Sequence, residues 1–186
     1  MRKFAGVLIL FALAAVASAQ RDQLPQPSPL EKELAARASD VTEVTLSKNM
    51  LAMAARFMDK DDKDDAEARQ LIQNLDGIYV RDYSFDKEGA VTPEEVEKLR
   101  SYFTSGEWTP MVHERERKNN ETTDVMMKVV NGEPRGLFVL SSEPKELTIV
   151  LILGPIRPED LHKLHGIGGL SSLGAVGKGA KTNSGK

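Results

Sequence analysis

The stretch Leu147-Thr148-Ile149-Val150-Leu151-Ile152-Leu153 decides the fold of this chain. Burying each of its large side chains is worth roughly 1.5–3 kcal/mol, so the stretch is strongly driven out of water. Its β-branched residues, and the Gly154-Pro155 pair directly after it, predict a strand shielded on both faces rather than a helix. The remainder of the chain must therefore provide a sheet around this strand.

The region before this strand has the pattern of an antiparallel meander. Apolar and polar residues alternate over 108–117, and the stretch ends in a charged run. This is typical of an edge strand that its charges protect from aggregation. Further strands are predicted over 125–130 and 136–140, with Asn131-Gly132 as the turn between them. The next turn leads into the core strand.

The first half of the chain predicts helices mixed with strands. Strands are expected over 41–46 and 78–85, and a helix start at Thr92-Pro93, where Glu95 completes a capping box. The first long helix carries an apolar stripe with helical spacing: Met50, Met53, Ala54, Phe57 and Met58. We interpret the stripe as facing the core; the alternative is that its methionines line an adaptable binding surface. The second helix has a similar stripe: Ala68, Leu71, Ile72 and Leu75.

These patterns predict one α+β domain of two layers, with a mostly antiparallel sheet, a C-terminal meander and helices packed on one face. The globular domain is expected over residues 41–165. Residues 20–40 are expected to form a linker that includes a short helix over 30–38. The Gly-rich end, residues 166–186, is expected to be disordered.

Residues 1–19 have the composition of a secretory signal peptide. Arg2 and Lys3 precede an apolar run over 4–16, and Ala17-Ser18-Ala19 fits a cleavage site. The alternative is an uncleaved membrane anchor, but the run is shorter than the ~20 residues that cross a bilayer. We therefore expect export, no transmembrane segment after signal cleavage, and a periplasmic or secreted location.

Composition narrows the partners and the chemistry. The 186 residues are 40% hydrophobic and 28% charged, with a net charge of −3, and loss of Arg2 and Lys3 with the signal peptide would leave −5. An acidic chain would be repelled by phosphates, so nucleic acid is not expected as a partner. The chain has no cysteine, which excludes disulfides, thiolate metal sites and a cysteine nucleophile.

One segment, residues 84–95, partly fits a calcium-binding loop. Ser84, Asp86, Glu88 and Glu95 stand where such a loop has oxygen ligands, and Gly89 stands at its sharp turn. However, Ser84 lacks the carboxylate usual at the first position, a strand precedes the loop, and Glu95 is already explained by helix capping. We therefore expect a turn here and no cofactor.

The histidines form no strong catalytic or metal motif. His113 adjoins Glu114 and Glu116, but successive side chains of a strand point to opposite faces, so His113 and Glu114 cannot converge on one atom unaided. His162 and His165 lie three residues apart at the end of a short closing helix, predicted over 158–164 and stopped by Gly166, and could share a metal, yet no carboxylate motif lies near them. The sequence has no G-x-S-x-G elbow, although composition alone leaves a triad of distant residues open. We predict surface histidines and no catalytic, cofactor-binding or metal-binding residues.

The order of these elements resembles a known family. The features that carry the resemblance are the export signal, a strand leading into Ser47-Lys48-Asn49-Met50-Leu51, the central helix pair, and residues 147–154 before Pro158-Glu159-Asp160-Leu161. Together they are similar to the bacterial domain of unknown function 4252, over about residues 41–165. The resemblance implies small exported proteins, often expected near envelope signalling genes, and it implies no activity and no site residues.

Two functions from different classes remain open. The first is a non-catalytic envelope protein that binds a protein partner through its sheet or a helix face, as a signalling-associated module. The second is a small exported hydrolase whose site is assembled from residues distant in sequence. Composition favours the first, whereas a deep pocket with converging polar groups would favour the second. The sequence predicts neither the partner nor the oligomeric state.

Overall fold

The computed structural model describes residues 24–58, 63–104, 108–157 and 160. Within them the chain forms four helices and six strands. Three predicted segments fall outside the described residues: the signal peptide 1–19, nearly all of the closing helix 158–164, and the tail 166–186.

Two of these four helices begin at capping boxes. The four helices are α1 (Pro29–Arg37), α2 (Lys48–Phe57), α3 (Lys63–Asn74) and α4 (Pro93–Phe103). Thr92 and Glu95 form the predicted capping box of α4, in which each side chain accepts the backbone N–H of the other residue. Ser28 and Glu31 cap α1 in the same way. The short helix predicted over 30–38 is confirmed by α1.

The strands form one antiparallel sheet. They are β1 (Asp40–Ser47), β2 (Gly77–Ser84), β3 (Trp108–Glu116), β4 (Glu121–Val130), β5 (Glu133–Glu143) and β6 (Glu146–Leu153), in the order β1-β2-β6-β5-β4-β3. The predicted α+β class and the meander from β3 to β6 are confirmed. The predicted core strand is β6, which is buried from Leu147 to Leu153, and the charged strand β3 lies at an edge.

Helices cover both faces of this sheet. Because side chains alternate along a strand, each face has its own core. Ile78 and Val150 point to the face packed by α2 and α3, whereas Tyr79 and Leu151 point to the face packed by α1 and α4. The predicted two layers with helices on one face are therefore wrong, and the domain has three layers. The central strands are apolar on both sides, so a bare face would leave a large apolar area in water.

The α2/α3 face is built from rows of residues that run across all six strands. One row consists of paired valines from edge to edge: Val44, Val80, Val150, Val139, Val125 and Val112. The neighbouring row, two residues along each strand, is polar: Thr42, Asp82, Thr148, Ser141, Thr123 and Glu114. This face therefore changes from apolar to polar within one step along the strands.

The segment before β1 belongs to the folded unit. Leu34 of α1 is fully buried in the core of the α1/α4 face. Further upstream, Leu24 covers Gly77 so closely that a Cβ on Gly77 would lie 2.7 Å from Leu24 Cδ1. Gly77, which opens β2, thus provides room for Leu24. The structured part of the chain extends to the N-terminal side of residue 41.

Two strand ends depend on left-handed backbone. Asn131 and Gly132 have φ angles of 54° and 82°, which confirms the tight turn predicted between β4 and β5. Gly154, directly after β6, has a φ of 120° and donates its N–H to the carbonyl oxygen of Arg135 at 3.0 Å. Both positions use conformations that side chains with a branched or bulky Cβ avoid.

Candidate functional site

Helix α2 exposes large apolar side chains. Phe57 is 85% exposed, Met53 56% and Met50 45%. Their spacing of i, i+3 and i+7 places them along one side of the helix, and we call these three residues the α2 stripe. The sequence predicted that Met50, Met53 and Phe57 face the core, and that prediction is wrong for these three residues.

The buried side of α2 is a second apolar stripe, which lies beside the exposed one on the helix. Leu51 and Ala55 are buried, and Met58 packs partly against the same core. These residues also follow helical spacing, i, i+4 and i+7, and one residue step rotates the helix by only about 100°. The sequence thus holds two overlapping apolar stripes, of which only one meets the sheet.

The α2 stripe has the properties of a docking surface. Single exposed apolar residues are common on soluble proteins, but adjacent ones form a patch that costs free energy in water until something covers it. Flexible methionine side chains also adapt to varied partners. The binding interpretation of the methionines, which was the less favoured alternative on sequence, is the one this exposure supports.

The sequence that follows the α2 stripe carries a net negative charge. Residues 59–65 follow α2 directly and hold five aspartates and two lysines, a net charge of −3. Including the exposed Arg56 leaves the sum negative. At the other end of α2, Lys48 is paired with Asp76, with Nζ 2.7 Å from Oδ1. The sequence directly after the Phe57 end of the stripe therefore carries an excess of carboxylates.

A second constellation joins the β3–β4 hairpin to α4. His113 lies opposite Asp124, with Nδ1 2.6 Å from Oδ1. Asp124 is buried, and its other oxygen accepts from Nε of Arg100 at 3.1 Å and from Nη2 of the same guanidinium. Arg100 is also paired with Glu97. The buried carboxylate is thus held between a histidine and an arginine.

The sequence pointed to His113 as a candidate residue but did not indicate its partner, Asp124. Glu114, as predicted, lies on the opposite face of the strand, in the polar row, so it does not converge with His113. The signal that could have found Asp124 is the hairpin itself. Residues equally distant from the turn at 117–120 face each other, and His113 and Asp124 are such a pair. His162 and His165 lie outside the described residues.

Within the described residues, the His113–Asp124 pair forms the orienting half of a hydrolytic triad without a reacting hydroxyl. A carboxylate on Nδ1 leaves Nε2 to take a proton. In the described part of the chain, no serine or threonine hydroxyl hydrogen-bonds to His113. Nor do the described residues contain three or more His, Asp or Glu side chains grouped to hold a metal ion. The contacts that are present fix the hairpin to α4.

Glu95, the last position of the calcium-like loop, is fully occupied by other contacts. One carboxylate oxygen accepts the Thr92 N–H, and the other accepts from Nη2 of Arg37 at 2.6 Å. Burial alone would raise the pKa of Glu95, but these hydrogen bonds and the Arg37 charge lower it. Capping and the link to α1 therefore account for this carboxylate.

A buried polar cluster docks α1 onto the sheet. Glu31 accepts from the Tyr79 hydroxyl at 2.6 Å and from the Ser28 N–H at 2.8 Å. The Arg81 guanidinium lies 3.9 Å from the centroid of the Tyr79 ring. Burial raises the pKa of both Tyr79 and Tyr83, so both phenols stay protonated at neutral pH. We assign this cluster to holding α1 in place.

The polar end of the α2/α3 face is acidic. Burial, followed by the charges of Glu146, Asp40 and Glu143, raises the pKa of Asp82 to about 6 from 3.8. Its Oδ1 atom is buried and has no hydrogen-bond partner within the described residues. Burial and neighbouring carboxylates also raise the pKa of Glu143. An ionised Asp82 therefore destabilises the fold at neutral pH.

Replacing Asp82 by asparagine is expected to stabilise the protein above pH 6. Because the folded-state pKa is raised, the contribution of Asp82 to stability is fully present below about pH 4 and is lost as the pH rises through 6. Each pKa unit corresponds to about 1.4 kcal/mol, and solvent screening reduces the gain to roughly 1–2 kcal/mol at pH 7.5. Urea unfolding of Asp82→Asn and the parent protein at pH 4 and pH 7.5 measures it. A gain that is equal at both pH values would contradict the assignment.

Comparison with known proteins places the chain in a family. Residues 35–164 match the family model described as a domain of unknown function, DUF4252. The match covers most of the chain, so the chain belongs to that family, and the resemblance predicted over about residues 41–165 is confirmed. Neither the curated proteins nor the solved structures include a match to the chain. In the part of the chain that the structure describes, no helix is long and apolar enough to cross a membrane.

Proposed function

We propose that this member of the DUF4252 family is an exported, non-catalytic binding protein of the cell envelope that docks a protein partner on the α2 stripe. The observation that carries the proposal is the exposure of Phe57, Met53 and Met50 along one side of α2. Covering these side chains on binding removes apolar surface from water, which is the main favourable term in most protein associations. Docking an apolar segment against a helix face needs no reactive group.

The charge of the sequence after the stripe defines the proposed partner. The acidic run over 59–65 follows Phe57 closely in the sequence, so complementary potential requires positive charge on the bound segment. The partner segment is therefore a basic amphipathic helix, with apolar residues that meet the α2 stripe and lysines or arginines beside them. An anionic lipid surface fits less well, because the acidic run would be repelled by its headgroups.

Two further features support export and binding without chemistry. Residues 1–19 have the order of a signal peptide, with charged residues, an apolar run and a small-residue cleavage site, which favours a periplasmic or secreted location. The His113–Asp124 pair meets no hydroxyl nucleophile in the described residues. Its bonds to α4 give it a structural role.

The protein is expected to bind a synthetic amphipathic helix of leucine and lysine and not one of leucine and glutamate. Both peptides present the same leucine face, but only the lysine peptide complements the acidic run, whereas the glutamate peptide is repelled by it. The affinity of the lysine peptide should therefore fall as salt is raised. Calorimetric titration of each peptide into the purified protein, at low and high salt, measures this. Equal binding of both peptides would contradict the charge argument.

Variants of α2 test the location of the site. Met53→Glu combined with Phe57→Glu is expected to abolish binding of the lysine peptide while leaving the melting temperature nearly unchanged, since both side chains are exposed. Ala52→Glu is the matched control, because residue 52 is exposed on the same helix but outside the stripe. Unchanged binding by the double variant would refute the proposal. Binding of anionic vesicles in place of the peptide would assign the stripe to a membrane surface.

The alternative of a small exported hydrolase rests on the His113–Asp124 pair. A screen of esterase, phosphatase, peptidase and glycosidase substrates with the protein and its His113→Ala variant distinguishes the two functions. Turnover that His113→Ala abolishes would favour the hydrolase, because the imidazole would then be its base. Activity at background level in both proteins supports binding.

A further inference from the structure

An aromatic cleft lies on the opposite face of the sheet from the α2 stripe. Its volume is about 330 Å³, it is open to solvent on one side, and its lining residues are Pro25, Tyr102, Phe103, Trp108, Lys128, Leu151 and Leu153. It lies where the segment before α1, the end of α4 and the start of β3 meet. Three aromatic residues and two leucines are among its lining residues.

The packing beneath the cleft holds its rings in place. Phe103 stacks on Phe138 with ring centroids 5.2 Å apart, and Trp108 meets Phe138 edge-on at 6.3 Å. Gly136 provides the room for the indole, since a Cβ there would lie 3.1 Å from Trp108 Cη2. Tyr102 packs edge-on against Phe103 at 5.0 Å and is still 48% exposed. The cleft is thus preformed, with an accessible aromatic wall.

The chain itself shows what this surface accepts. Residues 24–29 read Leu-Pro-Gln-Pro-Ser-Pro, and a residue before proline is restricted to extended or polyproline II backbone. Ser28 has φ −64° and ψ 163°, in agreement with that conformation. Pro25 lines the cleft, and the Tyr102 hydroxyl donates to the carbonyl oxygen of Gln26 at 3.3 Å. A proline ring beside aromatic rings, with a tyrosine bonded to a peptide carbonyl, is how grooves for proline-rich peptides work.

We propose that the aromatic cleft is a binding site for an extended, proline-containing segment of a partner protein. Polyproline II backbone leaves its carbonyl groups free for side-chain donors and presents rigid rings at little entropic cost. The open shape suits a chain that passes across the surface more than an enclosed small molecule. Pro25 of the intramolecular segment already lines the cleft, and the partner segment fills the remaining space beside it, against Trp108 and Tyr102. The site is independent of the α2 stripe.

Trp108 is the only tryptophan of the chain, so its fluorescence reports directly on the cleft. We expect a saturable shift of Trp108 emission when the purified protein is titrated with a synthetic peptide of Leu-Pro repeats. A peptide of Leu-Ala repeats, which lacks the proline rings, is the matched control and should leave the emission unchanged. Calorimetry of the same titrations provides a readout that does not depend on Trp108.

Two substitutions at Tyr102 distinguish the contribution of its ring from that of its hydroxyl. Tyr102→Ala is expected to weaken the peptide about tenfold, because an aromatic contact contributes on the order of that factor, whereas Tyr102→Phe keeps the ring and most of the affinity. The Met53→Glu, Phe57→Glu protein should bind the Leu-Pro peptide normally, so failure of either proposal leaves the other standing. The absence of a saturable response, equal binding of both peptides, or undiminished binding by Tyr102→Ala would each refute this site. Binding of free indole without binding of the peptide would refute it in favour of a small aromatic ligand.

Discussion

Replacing Phe138 by alanine is expected to lower the free energy of unfolding by about 3–5 kcal/mol, whereas the same replacement at Phe57 should change it by less than about 0.5 kcal/mol. Phe138 is fully buried on β5, between the rings of Phe103 and Trp108. Its removal leaves a cavity that the surrounding rings cannot fill. Phe57 is 85% exposed, so its loss removes little buried area.

Urea unfolding followed by far-ultraviolet circular dichroism measures both variants. Phe138→Leu is the intermediate control, because it keeps an apolar side chain and should lose less than Phe138→Ala. Since a domain of this kind has only about 5–15 kcal/mol of stability, Phe138→Ala is also expected to melt many degrees lower. A similar loss at Phe57 and Phe138 would mean that α2 is packed differently from its position here.

Gly154→Ala is expected to destabilise the protein by roughly 2–6 kcal/mol, as the sum of backbone strain and overpacking. Its φ of 120° is a conformation that residues with a side chain rarely adopt. The new Cβ would also lie 2.8 Å from Leu75 Cα and 2.9 Å from the Asp76 nitrogen. These are backbone atoms at the junction of α3 and β2, so they cannot rotate away as the end of a flexible side chain could.

Gly132→Ala separates the two contributions to that loss. Gly132 also has a positive φ, 82°, but a Cβ at this residue would meet no described atom within 4 Å, so its substitution carries strain without a clash. It is expected to cost about 1 kcal/mol. Urea unfolding of both variants gives the comparison. Equal losses at the two glycines would show that the contact with Leu75 and Asp76 carries no penalty.

The sequence was most informative where one pattern had a single structural solution. The apolar run of β6 could be buried only at the centre of a sheet, and Asn131-Gly132 allowed only a tight turn. The capping box of Thr92 and Glu95 likewise marked the start of α4. Each of these signals is local. Any other local structure would expose apolar side chains to water or force a sterically strained backbone.

The sequence was least informative where two solutions satisfied the same pattern. Both stripes of α2 have helical spacing, and only packing selects Leu51 and Ala55 over Met53 and Phe57. The side of the sheet that each helix covers was also hidden, because an apolar stripe does not specify which apolar face it meets. The candidate docking surface is the α2 stripe that does not meet the sheet. The sequence therefore offered a binding surface as an alternative for these methionines but could not select it over packing.

Cross-strand partners were missed for a different reason. Asp124 meets His113 only because the β3–β4 register brings them together, and register depends on the turn and on both strands. The aromatic cleft is still less local, since Pro25, Tyr102 and Trp108 come from three elements far apart in sequence. Such sites need the tertiary arrangement before they can be seen.

The place of β6 in the sheet has a consequence for biogenesis. Without β6, the β1-β2 pair and the β3-β4-β5 group share no backbone hydrogen bonds in the sheet, because β6 lies between β2 and β5. Tyr79 pairs with Leu151, which lies far along the chain, and contacts between such distant residues form slowly during folding. A chain emerging from the ribosome therefore cannot complete its core until β6 has been made. Until then the edges of β2 and β5 that β6 will cover stay unpaired, and such apolar edges can pair with other chains unless a chaperone covers them.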